Sequence, residues 1–319
     1  MSARTSIEWT DVTWNPVRGC SLVSAGCANC YAMKQAHRFS VKGQPYAGLT
    51  EMGPQGPRWT GKMALVPEVL AKPLHWKKPR KIFVNSMSDL FHEDVPFEFV
   101  HEVFATIRQS PQHVYQILTK RPQRMREFIA EYLIPRERMG WANSFYSHVW
   151  LGVSIEDQAT ADERIPLLLQ TPAAVRWVSA EPLLGPVDLT RVDGAVLDPA
   201  ARGIYLDALI GGCQSETPWH LNWVVVGGES GPGSRPCDVA WIQSIKNQCQ
   251  EAGVPVFVKQ LGAKPFTVEG SREAREWSAF GEGAVMDDCG WIHTRDRKGS
   301  DRTEWPADLR VREFPRVSP

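Results

Sequence analysis

From Lys81 onward the chain repeats one unit: a short run of β-branched and aromatic residues, then a longer segment with helical period. Lys81-Ile-Phe-Val-Asn-Ser-Met87 reads as a buried strand. The segment Pro96 to Gln109 follows, with Val100, Val103, Phe104 and Ile107 on one helical face and Asp94 placed to cap it. Val114-Tyr-Gln-Ile-Leu-Thr119 is the next strand, and Met125, Phe128, Ile129 and Leu133 mark a helix that starts near Pro122. His148 to Ser154, Val175 to Ser179, Asn222 to Gly227 and Pro255 to Lys259 continue the strands. Between them lie a helix over Ala159–Leu169 and one carrying Ile242, Ile245 and Cys249, which Gly253 can end.

Strands separated by helices form parallel sheets with right-handed crossovers. With a strand before Cys20 the count reaches about seven, so the expectation is an α/β fold, a complete or partial (β/α) barrel. The competing open doubly wound sheet lacks its Gly-x-Gly-x-x-Gly after the first strand. The barrel is expected over 1–262, with an insertion at about 189–220 that is rich in Gly, Asp and Ala. Residues 263–319, polar and without period, are expected as a C-terminal extension packed on the barrel.

Chemistry in such a barrel sits at the C-terminal ends of its strands. The first strand leads to Cys20, and the second ends in Asn85, Ser86, Ser88 and Asp89. The next two end in Thr119-Lys120-Arg121 and Ser154-Ile155-Glu156, and the later ones in Glu181, Glu229 and Lys259-Gln260. One polar strand end is ordinary solvation. A full set, each after an apolar run, points to a shared polar pocket.

Cys20, Cys27 and Cys30 stand six and two residues apart. Three thiolates on one loop can each bind one iron of a cubane and leave the fourth iron open to a small molecule. The same spacing leaves room for a zinc site with His37 as a fourth ligand, or for unligated thiols. The chain has seven cysteines, an odd number that argues against a complete disulfide framework. Cys213, Cys237, Cys249 and Cys289 are scattered and are expected to pack in the core.

A three-cysteine loop after the first strand of a parallel barrel resembles the radical S-adenosylmethionine (radical SAM) superfamily. More closely, the chain resembles a phage-associated, atypical family of that superfamily with no assigned function. The matching stretches are Trp14-Asn-Pro-Val-Arg-Gly-Cys20, Gly26-Cys-Ala-Asn-Cys-Tyr-Ala32, Phe83 to Phe91, Leu118 to Pro122, Leu151 to Glu156, Ser179 to Pro186 and Val226 to Pro232. The resemblance implies a [4Fe–4S] cluster on Cys20, Cys27 and Cys30, reductive cleavage of S-adenosylmethionine to a 5′-deoxyadenosyl radical, and an electron donor such as flavodoxin or ferredoxin.

By role, the resemblance places Ser86, Ser88 and Asp89 at the methionine end of the cofactor and Ser154 and Glu156 at its ribose. Gly227-Gly-Glu229 looks like the superfamily's Gly-Gly-Glu motif, though it follows a late strand. The superfamily loop commonly has three residues between its first two cysteines and an aromatic before the last. Here there are six, and Asn29 holds the aromatic's place, with Tyr31 just beyond to take over its contact. Thr119, Lys120, Arg121, Glu181, Lys259 and Gln260 are then candidates for substrate contact.

The chain carries 36 Lys+Arg against 36 Asp+Glu, a balance that excludes a general polyanion-coating protein but not local basic patches. Two such patches occur: Lys72, Lys77, Lys78, Arg80 and Lys81 around Trp76, and Lys120, Arg121, Arg124 and Arg126. Cations beside an aromatic suit phosphates and a stacked base, so a nucleic acid base or nucleotide is the expected substrate. A peptide or small metabolite is the alternative, and a non-catalytic, zinc-stabilised nucleic-acid-binding module is the third reading. No apolar run is long enough for a membrane helix and the first ten residues do not read as a signal peptide, so a cytoplasmic protein is expected.

Overall fold

The computed structural model describes residues 5–54, 56–136, 146–196, 202–211, 219–267, 283–287 and 289–316. Strand β1 (Val12–Trp14) and the short β2 (Val17–Arg18) precede the cysteine loop, and helix α1 (Tyr31–His37) follows it. A hairpin of β3 (Thr50–Gly53) and β4 (Gly56–Trp59) packs beside α1, and β5 (Ala64–Leu65) pairs antiparallel with β2. Next come β6 (Lys81–Val84), α2 (Phe97–Arg108) and β7 (Val114–Thr119). Helix α3 (Pro122–Arg126) runs through a π-helical stretch, Glu127–Leu133, into α4 (Ile134–Arg136). Then follow β8 (Val149–Ile155), α5 (Gln158–Leu169) and β9 (Val175–Ala180). The small antiparallel pair β10 (Val192–Asp193) and β11 (Tyr205–Leu206) falls between β9 and the next strand of the alternation. The last of the alternation is β12 (Trp223–Gly227), β13 (Cys237–Asp238), α6 (Val239–Glu251) and β14 (Val256–Gln260).

Seven strands share one sheet in the order β1-β6-β7-β8-β9-β12-β14. The pairings β1–β6, β6–β7, β7–β8, β9–β12 and β12–β14 are all parallel. Strands laid down in chain order with helical crossovers make a partial (β/α) barrel, as expected. The chain divides into two compact units: Met1–Val153 with Gln170–Val175, and Ser154–Leu169 with Arg176–Pro319.

In the first unit Trp14, Ile82, Val84, Tyr115 and Ile117 are buried along the sheet, and the expected face of α2 is buried as well: Val100, Val103, Phe104 and Ile107. Each such side chain contributes about 1.5–3 kcal/mol by leaving water. In the second unit Trp177 and Trp223 pack at a centroid distance of 5.3 Å, and Phe314 stacks on Trp223 at 5.4 Å. Residues near the C-terminus run beside β14: Val258 N–H donates to Val311 O and Glu313 N–H to Val256 O, both at 3.0 Å.

The local differences from expectation have physical causes. Strand β6 stops at Val84, three residues early, because Asn85 turns into the left-handed region at φ 56°. Asn tolerates this conformation better than other residues with a side chain, since its short amide can bond locally; here its Oδ1 accepts Val17 N–H at 3.2 Å. Helix α2 takes Pro96 as its N-cap, without a side-chain bond, and the Asp94 side chain is exposed. The capping Asp is instead at α6, where Asp238 accepts Ala240 N–H at 2.9 Å. Cys237 and Cys249 are buried as expected, but Cys289 is exposed, in a stretch stabilised by N–H bonds to Asp287 rather than by packing. Cys213 lies outside the described residues.

Candidate functional site at the cysteine loop

The loop that carries the three thiols is held at both ends. Gly19 adopts φ +90°, and a Cβ there would sit 2.2 Å from Lys62 O, so only glycine fits. Its backbone also bridges Ser88, just past β6. At the other end Cys30 is the N-cap of α1. A short 3-10 turn, Ala25–Cys27, spans the middle. Cys20 and Cys30 pack against a cluster that contains Ala32, Met33, Tyr46 and Trp59.

Burial and the Asp89 carboxylate push the Cys20 thiol up to about 12, against the opposing charge of Arg121; the other two thiols add to the rise. Cys30 is also raised by burial, although the N–H groups of Met33 and Ala32 donate to its sulfur and Lys120 lies close enough to oppose the shift. Cys20 thus feels the charge of both other thiols, and Cys30 that of Cys27. Among the described residues, however, no three His, Cys, Asp or Glu side chains stand close enough to hold a metal ion. The donor set itself fits an iron–sulfur group: three soft sulfurs, two backbone N–H donors already aimed at one of them, and a cation nearby. His37 Nδ1 faces Thr50 Oγ1 at 3.1 Å.

Behind the loop lies a buried charge network. Asp89 accepts from Thr119 Oγ1 at 2.8 and 2.9 Å, from Lys120 N at 3.3 Å, from Phe91 N at 3.0 Å and from Arg121 Nη1 at 3.1 Å. Arg121 also donates from Nε to both Glu93 oxygens, at 2.9 and 3.0 Å, and from Nη2 to Ser21 Oγ at 2.6 Å. Ser21 Oγ lies 2.8 Å from His92 Nε2. Burial and the Arg121 charge hold His92 below its ordinary value, so the ring is neutral near pH 7. Ser86 Oγ donates to Asn15 Oδ1 at 3.2 Å, Ser88 Oγ to Val17 O at 2.7 Å, and Tyr31 O–H to Ser86 O. The first-unit candidates thus surround one loop. Arg121 is an internal strut there, while Lys120 is a partly exposed cation near Cys30.

The second-unit candidates form three sets of contacts. Lys259 Nζ donates to both Glu181 oxygens at 2.7 and 2.8 Å, and Gln260 Nε2 donates to Glu181 Oε1 at 3.0 Å and Gly228 O at 2.9 Å. Ser154 Oγ donates to Glu181 O at 3.1 Å. Glu156 is fully buried and faces Arg164 Nη1 at 3.3 Å through both oxygens. Glu229 accepts from Arg235 N, Nε and Nη2 at 2.8, 3.0 and 2.7 Å. The preceding Gly228 has a packing reason of its own, since a Cβ there would lie 2.2 Å from Leu261 O.

A family model described as "Protein of unknown function (DUF5131)" matches residues 4–291. The chain belongs to this family. The match takes in the cysteine loop, the Asp89–Arg121 network and the Glu181–Lys259 pair, so all of the candidate residues are family territory. A search of curated proteins finds no match. Among solved structures, a cysteine-to-serine mutant of spore photoproduct lyase is 10% identical, covering 93% of this chain and 72% of that chain, with a TM-score of 0.38. So slight a likeness carries no argument.

Sequence reasoning missed Ser21, His92 and Glu93, which complete the Arg121 network, and Arg164 and Arg235, which face the two buried carboxylates. The only available signal was weak: Ser21 adjoins a cysteine, and His92-Glu-Asp94 interrupts an otherwise apolar stretch. In the second basic patch, Arg124 is spent on His92 O and Val95 O at 3.2 and 2.7 Å. In the first, Arg80 lies over the Trp76 ring at 5.5 Å. Among the described residues no helix is long and apolar enough to cross a membrane.

Proposed function

We propose that this protein is a radical SAM enzyme in which Cys20, Cys27 and Cys30 hold a [4Fe–4S] cluster, and that its substrate is a nucleic acid base or nucleotide. The observation that supports this most is the cysteine loop itself: three half-buried thiols on one loop between Gly19 and the start of α1, with N–H donors on Cys30. A bound, reduced cluster would supply the electron that cleaves the sulfonium of S-adenosylmethionine. The chain's own residues do the holding. Asp89 and Arg121 fix the ends of β6 and β7 behind the loop, Tyr31 ties α1 to Ser86, and Ser86 and Ser88 line the turn after β6. Lys120 offsets negative charge beside Cys30 and, in this reading, is the cation that meets a phosphate.

Anaerobic treatment with iron and sulfide should load about four irons per chain and give a broad visible absorption. Each single Cys→Ala change at 20, 27 or 30 should lower that content, and the triple change should abolish it. Changes at Cys237, Cys249 or Cys289 should leave it intact. A cluster that survives the triple change, or a protein that takes up only zinc, would end the assignment.

For the substrate, single-stranded DNA and RNA affinity should fall with salt as counterions are released. Lys120→Ala, compared with wild type at equal iron content, should weaken that binding and reduce the slope of log affinity against log salt by about 1. Salt-independent binding beside turnover of a peptide or neutral metabolite would decide against nucleic acid.

A further inference from the structure

We propose that the Ser21 hydroxyl is an oriented hydrogen-bond donor to a carboxylate or phosphate oxygen of the ligand bound at the cysteine loop, aimed there by Arg121 and His92. The inference follows from counting protons. Arg121 Nη2, 2.6 Å from Ser21 Oγ, belongs to a group that only donates. The second neighbour, His92 Nε2 at 2.8 Å, can donate or accept according to its tautomer. That tautomer is fixed from the far side of the ring: Asp94 N–H donates to Nδ1 at 3.1 Å, so Nδ1 carries no proton and the neutral ring holds it on Nε2.

Both neighbours therefore donate into the same oxygen. A serine hydroxyl has two acceptor positions and one proton. With both acceptor positions filled, its remaining capacity is to donate. Among the described residues no acceptor takes that proton. Ser21 is only half-buried and adjoins Cys20, whose Sγ lies 3.4 Å from Ser21 O, so the unmet donor stands at the thiol loop itself. Accepting from a guanidinium polarises the hydroxyl and strengthens it as a donor, which favours an anionic oxygen over a neutral one. The assignment of that oxygen to S-adenosylmethionine or to a substrate phosphate rests on the function proposed above.

The test compares wild type with Ser21→Ala and Ser21→Thr, both after cluster loading. Affinity for S-adenosylmethionine is read from the change it makes in the cluster's electron paramagnetic resonance signal, and affinity for a single-stranded oligonucleotide from fluorescence anisotropy. Ser21→Ala should weaken one of the two by about tenfold, the loss expected for one hydrogen bond to a charged acceptor. Ser21→Thr, which keeps the hydroxyl, should stay within about threefold, and iron content should match in all three proteins. Loss confined to S-adenosylmethionine identifies a carboxylate; loss confined to the oligonucleotide identifies a phosphate.

His92→Phe frees the hydroxyl to rotate, so it should weaken the same ligand in wild type and add nothing in the Ser21→Ala background. An equal loss in both backgrounds would overturn the aiming role. Equal affinity of wild type and Ser21→Ala for both ligands would overturn the donor. A wild type that loads no cluster would instead overturn the radical SAM reading, and the oligonucleotide arm would still judge the donor.

Discussion

Arg121→Ala should lower folding stability by about 3–5 kcal/mol, the loss found when one partner of a buried ion pair is removed. Its side chain is 6% exposed and that of Asp89 is 8% exposed. Without the guanidinium, Asp89 keeps neutral donors from Thr119, Lys120 N and Phe91 N but no countercharge. Arg121→Lys should recover only part of the loss, because one ammonium cannot span Asp89, Glu93 and Ser21 together. Removing the charge as well, in Arg121→Met with Asp89→Asn, should recover most of it. Denaturant unfolding of the three variants measures this directly, and Arg121→Ala within about 1 kcal/mol of wild type would show that the pair is hydrated. Arg121 thereby separates from Lys120: lost binding in Arg121→Ala would be mixed with lost stability, so the binding experiment uses Lys120→Ala.

Gly228→Ala should be comparably damaging, at about 3 kcal/mol or more, above the usual range for overpacking. The added Cβ would lie 2.2 Å from Leu261 O, 2.9 Å from Leu261 C and 3.0 Å from Cys237 Cβ. Two of those atoms are backbone, in a stretch where Ala263 N–H donates to Glu229 O at 2.8 Å, so the neighbour cannot swing aside. Gly231→Ala is the matched control. It has φ +93° but nothing within 4 Å of an added Cβ, so it should show only the conformational cost of about 1–2 kcal/mol. Equal midpoints for the two variants in thermal unfolding would mean that the Leu261 crossing relaxes freely. The glycine pair at 227–228 thus has a packing explanation that needs no ligand.

The sheet was legible because its signal is local. Each strand is a continuous apolar run, and each crossover helix shows its buried face at helical spacing, as Val100, Val103, Phe104 and Ile107 do. Strand ends were less legible, since one φ angle decides them: Asn85 ends β6 by entering a region that sequence pattern does not encode. The site was legible as a set of polar residues after strands, but not as pairs. Asp89 meets Arg121 across 32 residues, and Lys259 meets Glu181 across 78. Such partners become known only when the strands are laid side by side. Glu156 and Arg164, eight apart, show the same limit at short range, because a strand end and a helix turn must fold back on each other before they touch.

The anchoring of the cysteine loop also bears on how its length can change over evolution. Gly19 is bridged to Ser88 and has no room for a side chain beside Lys62, Ser21 is held by Arg121 and His92, and Cys30 by the first turn of α1. Insertions or deletions between Ser21 and the 3-10 turn at Ala25–Cys27 leave every one of those anchors in place. A longer or shorter spacing between the first two cysteines can then arise without displacing the outer two thiols, so this interval is where the loop can change length while keeping its anchors.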